Sequence, residues 1–146
     1  MKLEEIWKDA VGYEGLYQVS NLGRVKSLNY NRTGIERILK ARLSKDGYYE
    51  VMLCKNGKGK TFRVHRLVVT SFISEIPKGL VVNHLNEIRT DNRVENLEIC
   101  TNKENINYGT SIARRSAARR GMKFSEEWKR KLSAAKKAYW QRQREA

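Results

Sequence analysis

Short apolar runs separated by polar turns fill the first sixty residues and predict small β-strands. The apolar positions before the first long loop are Leu16, Val19, Val25 and Leu28. A further strand is expected across residues 38–43, and Asn56-Gly57, between two strand-like runs, is the strongest hairpin signal in the chain. The pattern therefore predicts a small antiparallel β module over residues 1–60.

A helical periodicity follows the predicted hairpin. Apolar residues recur there at i, i+3, i+4 and i+8, the spacing of one buried helix face: Val64, Leu67, Val68 and Phe72. His65 lies beside that face. A lone histidine next to a core helix is more often a structural residue than a catalyst. We therefore interpret His65 as structural.

The next segment has the pattern strand, loop, strand, helix. Leu80 to His84 is a short apolar run with the histidine at its exit, and residues 97–100 alternate as a second strand after a polar loop. A Thr-x-x-Glu capping box that begins at Thr101 predicts a short helix carrying Asn105. This unit collects a histidine and several asparagines in one compact segment.

The C-terminal end of the chain is strongly basic. Residues 109–146 contain 12 of the 30 lysines and arginines but only 3 of the 16 acidic residues. Two arginine pairs separated by small residues, at 114–115 and 119–120, predict a basic and weakly structured linker. Ser125 is expected to cap a final helix, since two glutamates follow it in the first turn. The apolar stripe of that helix recurs at i, i+4, i+7 and i+11: Trp128, Leu132, Ala135 and Tyr139.

The net charge of the chain indicates what kind of partner it binds. The 146-residue chain has a formal net charge of +14, far more than solubility requires, and this indicates a polyanionic partner. The two cysteines form no Cys-x-x-Cys pair, which argues against a cysteine-based zinc site. No apolar run approaches the ~18 residues of a membrane span, and no apolar leader segment starts the chain. We therefore expect a cytoplasmic protein with no membrane association and no obligate protein partner.

The histidine and the asparagines fit the chemistry of phosphodiester hydrolysis. That reaction needs a base to take a proton from water and a divalent metal to neutralise the phosphate and the leaving oxygen. His84 suits the base role, because an imidazole with a reference pKa of ~6.5 is mostly neutral at pH 7. The side-chain oxygens of Asn83 and Asn105 are candidate ligands for Mg²⁺, and Asn96 is a candidate for orienting the imidazole by a hydrogen bond. Asparagine is also common in loops for backbone reasons, so spacing alone leaves a structural role equally open.

Three groups of residues resemble motifs of a known family. Val82-Asn83-His84, residues 91–97 and residues 101–105 resemble the HNH motif of phage- and intron-encoded homing endonucleases. Residues 7–25 resemble the nuclease-associated modular motif of type four, which commonly stands before it. Residues 121–133 resemble the short type-three modular motif, a DNA-contacting helix with its approach segment. The resemblance covers nearly the whole chain in the expected order.

The resemblance implies an α+β protein of three parts. These are a small N-terminal antiparallel β module (residues 1–60), a ββα-metal (HNH) nuclease core (61–108) and an extended basic C-terminal segment with a DNA-binding helix (109–146). The implied function is that of a metal-dependent, homing-type DNA endonuclease that hydrolyses a phosphodiester. The implied setting is a prokaryotic host cell, with a gene carried by a phage or an intron.

The resemblance also implies roles for individual residues. His84 is the expected general base, Asn96 the asparagine that orients it, and Asn83 and Asn105 the ligands of Mg²⁺ or Mn²⁺. Double-stranded DNA is the expected partner. The residues expected to contact it belong to the tail: Arg114, Arg115, Arg119, Arg120, Lys123, Ser125, Lys129, Lys131 and Lys136.

Two departures from the family pattern keep a second function open. The chain has Asn83 where relatives often have an aspartate, and Glu87-Ile88 where they usually have Gly-Asn. Because Asn105 is also neutral, the expected ligands bring no carboxylate to the metal. The alternative is a catalytically weak or inactive DNA-binding protein that uses the same basic surface. An RNA- or ribosome-associated protein is a third interpretation, supported by charge alone.

Overall fold

Two compact units make up the chain, Met1–Gly109 and Thr110–Ala146. The computed structural model describes residues 4–120, 123 and 125–144. Small antiparallel sheets and helices form the first unit, and helices form the second. The expected α+β class is confirmed.

A four-stranded antiparallel sheet opens the first unit, with its strands in sequential order. The strands are β1 (Trp7–Asp9), β2 (Tyr17–Ser20), β3 (Val25–Ser27) and β4 (Arg37–Ile38). Val19 of β2 pairs with Val25 of β3, and both side chains are buried. The turn between these strands places Gly23 at φ +82, a left-handed conformation that glycine adopts without strain.

A second sheet of three antiparallel strands follows in the first unit. Its strands, in spatial order, are β5 (Arg42–Leu43), β6 (Tyr49–Lys55) and β7 (Lys58–Arg63). Asn56 and Gly57 form the turn between β6 and β7 with φ of +54 and +75, and a type I′ hairpin turn needs positive φ at both positions. The hairpin predicted from this dipeptide is confirmed.

The prediction of a single strand across residues 38–43 is wrong. Ile38 ends β4 in the first sheet, whereas Arg42 begins β5 in the second. Between them, Leu39 and Ala41 are partly buried against the hydrophobic core. The chain crosses here from one sheet to the other, and a short apolar run does not distinguish such a crossing from a continuous strand.

One hydrophobic core serves the whole first unit. Helix α1 (Val64–Phe72) follows β7 directly and is the amphipathic helix predicted from the spacing of its apolar residues. The buried apolar side chains come from both sheets, from α1 and from the hairpin that follows it: Ala10, Val19, Val25, Val51, Leu53, Val64, Leu67, Val68, Val69, Val82 and Leu97. Residues 1–60 and 61–108 therefore pack around a shared core.

A strand–strand–helix arrangement completes the first unit. It consists of β8 (Leu80–His84) and β9 (Leu97–Thr101), paired antiparallel, and of α2 (Asn102–Asn107), which packs against both strands. The Oγ1 of Thr101 accepts the N–H of Glu104 at 3.2 Å, and the Glu104 carboxylate accepts the N–H of Thr101 at 2.8 Å. The predicted capping box is therefore confirmed.

The second unit contains α3 (Ser111–Arg119) and α4 (Glu126–Arg144). The weakly structured linker expected here is wrong for the residues of α3, because alanine and arginine are strong helix formers and together occupy most of that segment. Ser125 caps α4 as predicted, since its Oγ accepts the N–H of Trp128 at 3.2 Å. Both helices present charged residues to solvent.

Part of the expected C-terminal motif lies outside the described residues. This holds for Gly121, Met122 and Phe124, and for the side chain of Tyr139 in the predicted apolar stripe. Of the other stripe residues, Trp128 and Leu132 are exposed. Within the described ranges, no helix is both long and apolar enough to cross a bilayer.

Candidate active site

His84 is the last residue of β8, and its ring is almost fully enclosed. The residue is 5% exposed, and its Nε2 lies 3.3 Å from Oδ1 of Asn92. A carboxamide oxygen can only accept a hydrogen bond, so this contact places the imidazole proton on Nε2. The lone pair of the neutral ring then lies on Nδ1. His84 is thereby held in the tautomer that can take up a proton at Nδ1.

Burial lowers the pKa of His84 from its ordinary value of 6.5, and the charge of Arg89 lowers it further. The hydrogen bond to Asn92 and the negative charge of Asp91 act in the opposite direction. The net effect is a lowered pKa, which keeps the ring neutral at pH 7. A general base must be unprotonated before the reaction begins, and His84 meets this requirement.

Two further rings enclose the imidazole of His84. The His65 and His84 ring centroids are 5.1 Å apart, and Tyr48 lies 5.0 Å from His65 and 6.0 Å from His84. His65 is 4% exposed, and burial lowers its pKa to about 3. His65 is a buried member of α1, as its interpretation as a structural residue requires. The sequence pattern does not predict that His65 contacts the candidate base, His84.

Asn96 braces the loop that connects β8 to β9. Its Oδ1 accepts the N–H of Asn86 at 2.9 Å, and its Nδ2 donates to Oδ1 of Asn86 at 3.0 Å and to the carbonyl of Asp91 at 2.8 Å. The prediction of a direct hydrogen bond between Asn96 and the imidazole is therefore wrong, because Asn92 is the residue that bonds to the ring. The hydrogen bonds of Asn96 instead hold the loop that carries Asn92.

Charged side chains stiffen the same loop. Arg93 contacts the Asp91 carboxylate at 2.8 and 2.9 Å, and Asn86 donates to it at 2.7 Å. These bonds, that from Arg93 foremost, lower the pKa of Asp91 to about 2. Asp91 therefore remains ionised through the neutral range. The loop residues on either side of Asn92 are fixed by this network.

The N-terminal sheet supports the loop from outside. The N–H of Val94 donates to the carbonyl of Asn21 at 2.9 Å. A β-carbon built on Gly23 would lie 2.7 Å from Cβ of Asn92, so only glycine leaves room for Asn92 at this turn. The β2–β3 turn therefore contacts the residue that contacts the candidate base.

Asn83 and Asn105, the expected metal ligands, lie on elements that pack together. Asn83 is 6% exposed on β8, and Asn105 is half-buried on α2, which packs against β8. Asn83 Nδ2 donates to Oε1 of Glu98 at 2.8 Å, and within the described residues its Oδ1 accepts no hydrogen bond. Glu98 is the residue directly opposite Asn83 in the β8–β9 register.

These oxygen donors fit a hard divalent cation such as Mg²⁺, which prefers oxygen ligands and needs few from the protein. Glu98, which accepts the hydrogen bond from Asn83, is a carboxylate next to these donors. In the described part of the chain, no group of three or more His, Cys, Asp or Glu residues could by itself enclose a metal ion. A cation bound at Asn83 and Asn105 would neutralise charge on a phosphate and on its leaving oxygen.

Two guanidinium groups stack on Tyr48, whose ring lies beside both histidines. Arg63 lies 4.6 Å and Arg89 5.2 Å from the centroid of the Tyr48 ring. The turn at Asp46 holds both, since its carboxylate accepts from Arg63 at 3.0 Å and its carbonyl accepts from Arg89 at 2.8 Å. These arginines place fixed positive charge close to His84, in a position suited to a phosphate.

The sequence did not indicate Asn92, Tyr48 or Glu98 as site residues. The position of Glu98 follows from pairing the two predicted strands in antiparallel register, so a signal for it existed. Asn92 and Tyr48 have no such signal, since tertiary packing alone brings them to His84.

The expected DNA-contacting residues all lie on the second unit and, where the structure describes them, are exposed: Arg114, Arg115, Arg119, Arg120, Lys123, Ser125, Lys129, Lys131 and Lys136. Two of these cations already pair with acidic residues of α4, Lys129 with Glu126 at 2.6 Å and Lys131 with Glu127 at 2.7 Å. Such exposed pairs contribute little to stability.

An antiparallel strand pair followed by a helix, with an oriented histidine at the end of the first strand, defines an HNH-type nuclease unit. The family model described as "HNH endonuclease" matches residues 62–106, and that of the NUMOD4 motif matches residues 5–54. The solved structure titled "DNA binding and cleavage by the HNH homing endonuclease I-HmuI" matches with a TM-score of 0.65 and 37% identity, covering 90% of this chain and 68% of that one. The chain therefore belongs to the HNH homing endonuclease family.

Two curated relatives illustrate the range of the similarity. DNA endonuclease I-HmuI of Bacillus phage SP01 is 47% identical over 100 residues, which cover 68% of this chain. The HNH endonuclease L247 of Acanthamoeba polyphaga mimivirus is 38% identical over 112 residues, covering 73% of this chain. The chain spans 55% of the length of the first relative and 26% of the second.

Proposed function

We propose that this chain is a metal-dependent DNA endonuclease of the homing type, which hydrolyses a phosphodiester with His84 as general base. The observation that carries the proposal is the geometry of His84. Its ring is buried, neutral and fixed through Nε2, and it ends a strand whose preceding residue, Asn83, offers an unbonded oxygen. A neutral, oriented imidazole next to an unbonded oxygen is an arrangement suited to taking a proton from water.

The proposed roles divide the reaction among a few side chains. His84 takes a proton from the attacking water at Nδ1, while Asn92 holds the opposite ring nitrogen. Asn83 and Asn105 would hold the divalent cation, Mg²⁺ or Mn²⁺, which would neutralise charge on the phosphate. Asn96 keeps the loop in the shape that presents Asn92. A further cation, Arg89, binds a phosphate oxygen next to the imidazole.

The proposed substrate is double-stranded DNA. The net charge of +14 supports a polyanion, and the solved structure of I-HmuI is described as one of DNA binding and cleavage by that relative. The exposed cations of the second unit would supply sequence-independent phosphate contacts. Lys123, Ser125 and the helix that follows would extend these contacts along the duplex, in the manner of the type-three motif.

Cleavage of supercoiled plasmid DNA carrying a target site tests the proposal. We expect relaxed or linear product with Mg²⁺ or Mn²⁺ and none with EDTA. His84→Ala should slow cleavage by about 10²- to 10⁴-fold, the usual contribution of a general base, while DNA binding in a gel-shift assay stays unchanged. Cleavage by the alanine variant at the wild-type rate would refute the role of His84.

An inactive DNA-binding protein is the second candidate, and Asn83 is the observation that favours it. A neutral amide holds a hard cation less firmly than a carboxylate does. The two candidates separate in the same assay, because the second predicts gel-shift binding with no cleavage of any DNA in a library of fragments at any Mn²⁺ concentration.

A further inference from the structure

Glu98 is a half-buried carboxylate that pairs with no cation among the residues that the structure describes. Within the described residues, its one hydrogen bond is the one it accepts from Nδ2 of Asn83 at 2.8 Å, and it takes part in no ion pair. Three other half-buried carboxylates of the first unit each pair with an arginine: Glu5, Glu50 and Asp91. Partial burial of a negative charge costs free energy unless a positive charge lies nearby. The charge of Glu98 therefore lacks the compensation that the fold gives these others.

The contact with Asn83 has a direct geometric consequence. A carboxamide carries its nitrogen and its oxygen on opposite sides of the same planar group. Because Glu98 accepts from Nδ2, the side chain of Asn83 cannot rotate to exchange the two, and Oδ1 is fixed away from Glu98. Oδ1 accepts no hydrogen bond within the described residues. A fixed, unbonded carbonyl oxygen beside an uncompensated carboxylate is an arrangement that suits a cation.

We propose that Glu98 is a positioning residue of the cation site and supplies its negative charge. Glu98 holds Asn83 through Nδ2 so that Oδ1 is presented to the cation, and its carboxylate lowers the potential at that point. The pair Asn83–Glu98 thus provides, from two residues, the oxygen ligand and the charge that a single aspartate would provide. This inference rests on the proposed function, since it places the cation at Asn83.

The strand register explains why the pair is geometrically possible. Asn83 and Glu98 are directly opposite each other in the β8–β9 pair, and cross-strand neighbours of this kind lie ~4.5–5.5 Å apart at their β-carbons. An aspartate at 83 would face the Glu98 carboxylate at this distance, and like charges directly opposite are destabilising. The amide at 83 and the acid at 98 are therefore complementary.

Direct titration of Mn²⁺ into the full chain, followed by electron paramagnetic resonance of the unbound ion, tests the proposal without DNA cleavage. We expect Glu98→Gln to weaken Mn²⁺ binding by about 10- to 100-fold, which is the usual effect of losing a group that orients a metal ligand. Glu95→Gln is the matched control, since it removes the same charge from an exposed residue nearby whose partner is Arg93. Its Mn²⁺ affinity should stay about equal to that of the wild type.

The double variant Asn83→Asp with Glu98→Gln moves the charge from one residue to the other. We expect it to bind Mn²⁺ at least as tightly as the wild type, which a merely structural role for Glu98 would not produce. Thermal unfolding of each variant verifies that it is folded at the temperature of the titration.

The outcomes separate this inference from the proposed function. Wild-type protein that binds Mn²⁺ and cuts DNA, together with a Glu98→Gln variant that binds Mn²⁺ equally well, overturns the role of Glu98 alone. Equal weakening in the Glu98→Gln and Glu95→Gln variants also overturns it, since only the net charge would then matter. Wild-type protein that neither binds Mn²⁺ nor cuts DNA overturns both proposals.

Discussion

Gly23 and Asn92 contact each other although one belongs to a turn of the N-terminal sheet and the other to the loop between β8 and β9. A β-carbon on Gly23 would lie 2.7 Å from Cβ of Asn92. Asn92 in turn places its Oδ1 3.3 Å from Nε2 of His84. The N-terminal sheet therefore reaches the candidate base through a single intermediate residue.

Substitution of Gly23 tests this contact. We expect Gly23→Ala to lower the free energy of unfolding and to slow DNA cleavage, because the new methyl group displaces Asn92. Gly15→Ala is the matched control: its φ is +70, close to the +82 of Gly23, but nothing lies within 4 Å of its added β-carbon. Both variants should lose about 1–3 kcal/mol from backbone strain in chemical denaturation. Only Gly23→Ala should also lose cleavage rate, and an equal loss in both would exclude a role for the contact.

The pH dependence of cleavage should report the protonation of His84. Because burial lowers the pKa of His84 below its ordinary value of 6.5, the ring should take up its proton at a lower pH than a free imidazole does. In single-turnover rates measured across the acidic range, the midpoint of the fall should therefore lie below pH 6.5. A midpoint at or above pH 6.5 would show that the base of the reaction has no lowered pKa.

Replacement of Asn92 should shift the acid limb, the fall of the cleavage rate at acidic pH, to still lower pH. The hydrogen bond to Asn92 raises the pKa of His84, so its loss lowers that pKa again. We expect Asn92→Ala to shift the acid limb to lower pH and to reduce the maximal rate, because the ring also loses its orientation. An unchanged acid limb would mean that the 3.3 Å contact does not persist in solution.

Arg89→Gln should shift the same limb in the opposite direction. The charge of Arg89 lowers the pKa of His84, so a neutral glutamine lets it rise. We also expect weaker DNA binding, since the guanidinium stacked on Tyr48 is the proposed phosphate contact. If the rate falls at a higher pH but DNA affinity is unchanged, the electrostatic effect of Arg89 on His84 is supported and its phosphate contact is refuted.

Acid stability should depend on His65. Its pKa of about 3 in the folded state lies below the ordinary 6.5, so between these values the unfolded chain binds a proton that the folded chain does not. The free energy of unfolding then falls with decreasing pH by at most about 1.4 kcal/mol per pH unit from this group. His65→Phe keeps a ring beside Tyr48 and cannot titrate, so urea denaturation of this variant should show a flatter dependence between pH 6.5 and 3. An unchanged slope would assign the acid sensitivity to other groups.

The salt dependence of DNA binding should locate the phosphate contacts. Replacing four arginines of the second unit by glutamine should reduce the slope of log Kd against log salt by ~0.9 for each phosphate that these side chains neutralise; the four are Arg114, Arg115, Arg119 and Arg120. The control replaces four cations of the first unit that lie outside the candidate site: Arg32, Lys40, Lys45 and Lys78. Equal changes in both variants would show that only the total charge matters.

Local sequence patterns predicted most elements of the first unit, because each has its own periodicity or turn chemistry. The Asn56-Gly57 hairpin, helix α1 and the Thr101 capping box are all confirmed. The crossing between the two sheets at residues 39–41 was missed, because a two-residue strand has no periodicity of its own. Helix α3 was missed because a run of basic residues suggested a solvated linker more strongly than its alanines suggested a helix.

The candidate site was only partly predictable for a different reason. His84, Asn83 and Asn105 are predicted from a short segment and its resemblance to the HNH motif, since spacing alone leaves a structural role equally open. The other contacts of the site come from the loop, from an earlier part of the chain and from the facing strand: Asn92 bonds to the ring, Tyr48 packs beside it, and Glu98 faces Asn83. Side-chain hydrogen bonds of this kind depend on loop geometry, which spacing along the sequence does not define.

The shared core determines which part of the chain can be transferred to another protein as a folded unit. Residues 62–106 match a nuclease family model, yet Val64 and Val68 pack in one cluster with Val19 and Leu53, which precede that segment. A graft of the matched segment onto another scaffold would omit the core residues that precede it. It would also remove the contact between Gly23 and Asn92. Recombination between relatives should therefore exchange residues 1–109 as a whole, so that residues 110–146, rather than the nuclease motif, are the part to replace separately.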